Sequence, residues 1–447
     1  MTVSVRPLCV AALLLAVACD ETPPTTEFPE SLDAELRRNI GQWGVVPFRA
    51  LPPQNPALVA LGRALLFDKI LSGNRDISCA TCHDPATHMT DGLPLAIGTG
   101  GTGSGAGRTL GPGRSFVPRN APSLLNVVVG LSYIFWDGRL TRFGPPPPEV
   151  NLPPDLPNVI AAQAMMPVLN RREMRGDPGD VDVFGNPNEL AQFPDSQPTK
   201  IWNAVMQRLL TVPEYVNLFK AAYPGVPQAS LTFGHAATAI AAFQMATMQK
   251  TSSPFDQYLR HDDNALSIDE KRGGILFFTR AQCASCHNGP FLGAQFFSNS
   301  GAPQLGPGVG NGAPLDLGRG ELPNNQFYRF AFRVPPLRNV ELTAPYFHDG
   351  ALPTLETVVA HYNDVPKSLR EFNPATLPAA VQSSYHGDQA TIDSVLKTLD
   401  FQLRTPLNLT EMEQHELVAF LKSLTDPAAR NLSGLVPASV PSGLPVR

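Results

Sequence analysis

Two five-residue segments of this chain share one pattern, Cys79-Ala80-Thr81-Cys82-His83 and Cys283-Ala284-Ser285-Cys286-His287. Two thiols three residues apart, followed at once by an imidazole, form the attachment signature of a c-type haem. The thiols reach the two vinyl groups of one porphyrin, and the histidine ligates the iron from the proximal side. Other CxxC chemistries fit poorly. A zinc ribbon sets its cysteine pairs roughly fifteen to twenty residues apart, and a redox dithiol sits in a βαβ pattern with no reason for the histidine. The reading is therefore two covalently bound haem c groups. The other two of the six cysteines, Cys9 and Cys19, lie near the N-terminus, so no pair remains for a structural disulfide.

Elements must deliver and position those groups. Arg6 precedes an apolar run from Leu8 to Val17, too short for the about twenty residues of a bilayer span and of the length of a signal-peptide core. Residues 1–18 are expected to be a signal peptide, which sends the protein to the periplasm. Ala16-Val17-Ala18-Cys19 has the form of a lipobox, so lipid on Cys19 would anchor the mature chain to a membrane; ordinary cleavage after Ala18 is the alternative. Residues 19–35, with Thr and Pro prominent from Asp20 to Glu27, read as a tether.

At 447 residues the chain has room for two domains. The expected division is 36–225 around the first motif, 226–430 around the second, and a tail over 431–447. A net charge of −5 without a long basic run argues against nucleic acid as a partner. Charged residues are only 16%, and 46 Pro with 36 Gly call for long ordered loops between short helices. Helices are expected over Pro56–Phe67, Trp202–Tyr223, Gly234–Met248, Ser267–Phe278, Thr354–Tyr362 and Thr410–Leu424, with capping boxes at Ser267/Glu270 and Thr410/Glu413. The fold class is mostly α: two cytochrome c-like haem domains with long Pro/Gly-rich loops. Gly98–Arg114 lacks the context of a phosphate-binding loop, Gly144–Pro157 is a stiff insertion, and Asp177–Thr199 a polar insertion expected to cover the surface.

From about Pro56 to Asp426 the chain resembles the bacterial di-haem cytochrome c peroxidases and their relative MauG, a di-haem enzyme that oxidises residues on another protein. The matching pieces are the two CxxCH motifs, Arg119-Asn120-Ala121-Pro122-Ser123-Leu124, Phe135-Trp136-Asp137-Gly138-Arg139, Gln163-Ala164 with Pro167 and Glu173, Val334-Pro335-Pro336-Leu337-Arg338-Asn339, and Thr343-Ala344-Pro345-Tyr346-Phe347-His348-Asp349-Gly350. The resemblance implies that Glu173 is the acid/base for peroxide cleavage, with Gln163 its polar neighbour and Pro167 shaping the distal wall; a carboxylate among Arg171, Arg172 and Arg175 would otherwise read as solvated surface. It implies that Trp136 relays charge between the haems. It also implies Ca²⁺ held by Asn120 and the carbonyls of Thr343 and Pro345, with water completing the oxygen shell.

Three departures carry information. Many family peroxidases close the first haem with a distal histidine, but no histidine occurs between His88 and His235; Thr99 falls near that place, His88 is expected to have a structural or surface role, and the first haem reads as open. Where the family peroxidases carry a methionine ligand to the second iron, this chain has Tyr362, as MauG does. Leu355, Val358, Val359 and Tyr362 share one helical face while His361 points about 100° away, so Tyr362 is preferred to His361 as ligand; a buried core tyrosine is the bland alternative. Third, Ala281 replaces the surface tryptophan through which MauG passes holes to its substrate.

The resulting expectation is an exported di-haem oxidoreductase that reduces H₂O₂ at the His83 haem, with electrons passing through the His287 haem. The electron source would be a small cytochrome or cupredoxin, or an oxidised protein partner as for MauG. A non-catalytic electron-transfer cytochrome is the remaining alternative, and Glu173 with the missing distal histidine speaks against it.

Overall fold

A computed structural model describes residues 1–2, 31–127, 131–141, 152–293 and 295–446. The expected signal core, Cys19, most of the tether and the Pro145–Pro148 run lie outside the described residues. The chain is mostly helical, as expected: α1 (Leu32–Gln42), α2 (Pro56–Phe67), α3 (Cys79–Cys82), α4 (Val159–Ala164), α5 (Pro198–Leu210), α6 (Pro213–Ala222), α7 (Phe233–Thr247), α8 (Pro254–Leu259), α9 (Ile268–Phe278), α10 (Leu355–Asn363), α11 (Val365–Arg370), α12 (Ala379–Gln382), α13 (Gln389–Lys397) and α14 (Glu411–Ser423). Among the described residues, strand ladders are limited to two short antiparallel pairs, β1 (Tyr133–Ile134) with β2 (Leu140–Thr141) and β3 (Phe297–Ser298) with β4 (Phe332–Arg333).

Both expected capping boxes form. Ser267 N–H donates to the Glu270 carboxylate at 2.6 Å and Glu270 N–H to Ser267 Oγ at 3.3 Å; the Thr410/Glu413 pair does the same at 2.9 and 3.3 Å. The expected helix Trp202–Tyr223 is instead two helices. Pro213 opens α6 and holds Val212 extended, because the ring disfavours helical geometry in the residue before it.

Two apolar cores are built alike. In the first, α2 crosses α7; in the second, α9 crosses α14. Each crossing is made at a glycine. A β-carbon at Gly62 would stand 1.9 Å from the Ala239 carbonyl oxygen, and one at Gly273 would stand 1.9 Å from that of Glu416. Phe243 and Phe420, four residues beyond those carbonyls, close the crossings against Phe67 (6.3 Å between ring centroids) and Phe277 (5.1 Å). So the helix that precedes each CxxCH motif is pinned to a partner helix by backbone-to-helix contact.

The expected division at 225/226 does not match the packing. The α7 helix, C-terminal to that boundary, supplies Phe233, Ala236, Ile240 and Phe243 to the first core, because the glycine face of α2 needs a helix to bury it. Conversely, Leu36 and Ile40 of α1 pack with Phe277 and Phe420 in the second core. Residues 431–447 also join the first core through Leu432, Val440 and Leu444. There Ser442 donates from Oγ and N–H to the Asp68 carboxylate at 2.6 and 3.1 Å. Among the described residues, no helix is long and apolar enough to cross a membrane.

Candidate functional site

The first CxxCH motif opens on one turn of helix whose N-cap Ser78 exchanges hydrogen bonds with Thr81. His83 donates from Nδ1 to the Met89 carbonyl at 3.1 Å, which fixes the ring and leaves Nε2 as the free lone pair. Burial lowers the pKa of His83, so the imidazole is neutral, the ligating form. Cys79 and Cys82 are free thiols, and burial pushes Cys79 up to about 12. These residues line one cavity together with Gln163, Pro167 and Glu173. Residues 163–173 and 79–83 thus converge on one cavity from two separate stretches of sequence.

Glu173 sits in a π-helical turn, Arg171–Arg175, capped by Asn170. The carbonyls of that turn are tied down on three sides: Glu173 O accepts from Thr99 N–H (2.9 Å), Met174 O from Gly73 N–H (2.7 Å) and Arg175 O from the Asn188 amide (2.8 Å). Gly98 permits the first of these, since a β-carbon there would lie 2.0 Å from the Arg172 carbonyl oxygen. The segment 177–199 is largely exposed, as expected, but Asn188, Leu190 and Ala191 within it are fully buried and prop the Glu173 turn. Arg171 and Arg175 both pair with Asp195 rather than with Glu173. Burial therefore raises the pKa of Glu173, opposed only by the more distant charge of Arg139. A carboxyl group with that environment holds a proton more readily than a solvated one. Thr99 is outside this cavity; its hydroxyl donates to Asp76 at 2.8 Å. His88 is structural, as expected, with Nδ1 donating to the Ala429 carbonyl at 3.1 Å.

The second motif repeats the arrangement. His287 donates from Nδ1 to the Leu292 carbonyl at 3.0 Å, and burial lowers its pKa to about 4. Cys283, Cys286 and His287 line a second cavity, and Tyr362 lines the same cavity. Burial raises the Tyr362 phenol above its ordinary value, with the Cys286 thiol adding to the shift. His361, one residue away, does not line the cavity; its Nε2 donates to the Ser300 carbonyl and its Nδ1 accepts from Ser368 Oγ, both at 2.9 Å.

Trp136, Asn120, Thr343 and Pro345 line the same second cavity. The Trp136 indole N–H donates to the Asn120 carbonyl at 3.0 Å, and the Asn120 amide nitrogen donates to the Leu93 carbonyl at 2.7 Å. The Pro122 carbonyl, two residues on, is a further acceptor beside the His83 ring, so a three-residue segment links Trp136 to the first proximal histidine. Beneath it Arg119 joins Asp137 at 2.6 Å and Asp316 at 2.7 Å, tying this segment to the chain that follows the second motif.

Comparison with known proteins agrees with this geometry. A sequence model of the family described as di-haem cytochrome c peroxidase matches residues 56–264. Cytochrome c551 peroxidase of Pseudomonas aeruginosa is 33% identical over 302 residues, 67% of this chain and 70% of that protein. This chain belongs to the di-haem cytochrome c peroxidase family. Within that family it is also similar to the methylamine utilization protein MauG of Methylorubrum extorquens, 29% identical over 431 residues, 96% of this chain and 95% of that protein. Among solved structures, a MauG-like protein associated with microbial copper homeostasis superposes with a TM-score of 0.59 at 26% identity, covering 86% of this chain and 95% of the other. The diheme peroxidase BthA from Burkholderia thailandensis shares the fold, with a TM-score of 0.56 at 23% identity over 90% of this chain and 92% of the other.

As a di-haem peroxidase the protein needs two haem c groups, and its residues fit them. Each cavity presents two free thiols and a neutral histidine whose second nitrogen is already engaged. The largely apolar walls suit a porphyrin face. Sequence reasoning missed Gln244, a 3%-exposed side chain of α7 that reaches the first cavity without a side-chain hydrogen bond among the described residues. Its signal was present: it is a lone amide on a helix face otherwise made of Ala237, Ile240 and Ala241.

Proposed function

We propose that this di-haem peroxidase reduces H₂O₂ in the first cavity, H₂O₂ + 2e⁻ + 2H⁺ → 2H₂O, with electrons delivered through the second. A haem c in each cavity would supply an iron that changes oxidation state. Cys79, Cys82 and His83 would hold the first; Cys283, Cys286, His287 and Tyr362 would hold the second. The observation that carries this reading is the convergence of Glu173, Gln163 and Pro167 on the cavity of His83.

The protein's own part in the reaction is to place and move protons. Glu173, raised by burial, takes the proton from one peroxide oxygen and returns it to the other. Gln163 and Gln244 offer amide groups to orient the peroxide, and Pro167 limits the space left for it. Trp136, held by its bond to the Asn120 carbonyl, is placed to relay charge between the cavities. Ca²⁺ bound by Asn120, Thr343 and Pro345 would stiffen this junction: the Asn120 amide nitrogen is used on Leu93, leaving its oxygen, and among the described residues the Thr343 and Pro345 carbonyls accept no hydrogen bond.

The electron source is read as a small redox protein of the periplasm. Ala281 is only 4% exposed on the wall of the second cavity, so the surface tryptophan route of MauG is not built here. The sequence pattern of residues 1–19 supports export and a lipid anchor at Cys19. The test is electron paramagnetic resonance of the oxidised protein as isolated. One high-spin and one low-spin haem c are expected, since no distal histidine is available to close the first site; two low-spin haems would return the chain to the class of electron carriers.

A further inference from the structure

Among the described residues six arginines are more than nine-tenths buried, and five of them have an evident partner. Arg119, Arg175, Arg208 and Arg338 meet Asp137 with Asp316, Asp195, Glu189 and Asp256 respectively. Arg108 spends its guanidinium on the carbonyls of Ile97, Gly98 and Gly103, all within 2.9 Å. Arg333 is the exception. It is 6% exposed, its Nη1 has no hydrogen-bond partner, and its Nε makes one long bond, 3.3 Å, to the Phe135 carbonyl. Among the described residues no carboxylate faces it, and burial, unopposed, lowers its pKa to about 10. A guanidinium in that situation carries an uncompensated charge out of water, a cost that buried charges normally escape by pairing.

The place of Arg333 says what the partner is. The side chain lines the second cavity, whose described wall contains no Asp or Glu and no other Arg or Lys. The anion must therefore arrive with the occupant. A haem c brings two propionate carboxylates, and a planar fork of N–H donors matches a carboxylate. We propose that Arg333 receives a propionate of the haem in the second cavity and so fixes the propionate edge of that haem against the Trp136 loop. The loop side of this clamp is already built: Arg333 N–H donates to the Trp136 carbonyl at 2.7 Å, and its Nε bonds the residue before it. Arg333 is thus a positioning residue that ties the second haem to the Trp136 segment. Its positive charge beside that haem favours the reduced iron.

This assignment rests on the reading of the cavity as a haem c site, and haem content tests that reading separately. Wild-type holoprotein should contain two haems per chain by pyridine haemochromogen; one per chain overturns both. In R333Q the midpoint potential of the second haem should fall, by at least about tenfold in its reduction equilibrium or about 59 mV for a one-electron couple, while the first haem stays near its wild-type value. The propionate bending modes in resonance Raman spectra should shift in R333Q and in R333K, because an ammonium cannot replace the bidentate fork. Two haems with unchanged potentials and modes in R333Q overturn the Arg333 assignment alone. Should R333Q fail to mature, R333K decides by its modes, and wild-type frequencies there overturn the proposal.

Discussion

His361 Nε2 donates to the Ser300 carbonyl, and that single bond separates the two neighbours on α10 into different roles. With Nδ1 held by Ser368 as well, His361 has no lone pair to offer a metal, whereas Tyr362 lines the cavity that His287 lines. The pair is a fork in the chemistry, because tyrosinate favours oxidised iron and histidine does not do so to the same degree.

Substitution should separate the two functions. Tyr362→Phe is expected to remove or change the low-spin resonance signal with little loss of stability. His361→Ala should leave that signal intact but destabilise the protein by about 1–3 kcal/mol, the cost of leaving a buried acceptor such as the Ser300 carbonyl unpaired. Electron paramagnetic resonance and thermal unfolding on the same samples measure both. An intact signal in Tyr362→Phe, lost in His361→Ala, would reassign the ligand.

How much of this was legible in the sequence depends on how local the cause is. Capping boxes at Ser267 and Thr410 formed because both partners lie within one turn. The placement of Tyr362 followed from helical phase along α10, another local rule. The grouping of Glu173 with His83 came from a family pattern rather than from periodicity, since 90 residues separate them. What escaped was long-range: α1 and α7 changing cores, Asn188 propping the Glu173 turn, and Arg333 left without an anion. Each of these depends on which backbone another segment happens to bury, and no window of neighbouring residues carries that information.

The Arg119 network makes a prediction about acid. Burial alone would raise Asp316, but the Arg119 guanidinium outweighs it and holds the carboxyl below the ordinary aspartate range. A depressed folded-state pKa gives stability that is fully present above the unfolded value of 3.8 and is lost as pH falls through the folded one. Asp316→Asn should therefore cost about 3 kcal/mol at pH 7, the low end for breaking a buried pair because Arg119 keeps Asp137. The difference from wild type should shrink as pH drops below the aspartate range. Denaturant titrations at pH 7 and pH 3, followed by far-UV circular dichroism, test this; a difference that is constant or grows in acid would contradict it.

Calcium should act through the junction under Trp136. If Asn120, Thr343 and Pro345 hold the ion, Ca²⁺ at a hundred times its dissociation constant stabilises the fold by about 2.7 kcal/mol over chelated protein. Asn120→Ala should abolish that difference while both haems remain attached. Calorimetry with Ca²⁺ and with a chelator, on wild type and variant, gives the four numbers needed. Equal Ca²⁺ effects in the two proteins would remove Asn120 from the site.

Glu173 carries the proposed proton transfer, and its surroundings make the test clean. The turn that holds it is fixed by backbone bonds to Thr99, Gly73 and Asn188, none of which uses the Glu173 carboxylate, and Arg171 and Arg175 are committed to Asp195. Glu173→Gln should therefore leave the fold and haem content unchanged and remove only the group that exchanges a proton. The spectral change after mixing with H₂O₂, followed by stopped flow without any natural electron donor, is expected to slow by about 10²–10⁴-fold, the range for a positioned acid or base. Glu173→Asp, which keeps the carboxyl on a shorter arm, should fall between the two. A Glu173→Gln rate within a few-fold of wild type would mean that the carboxylate only lines the cavity, and the proton would have to be carried by another group.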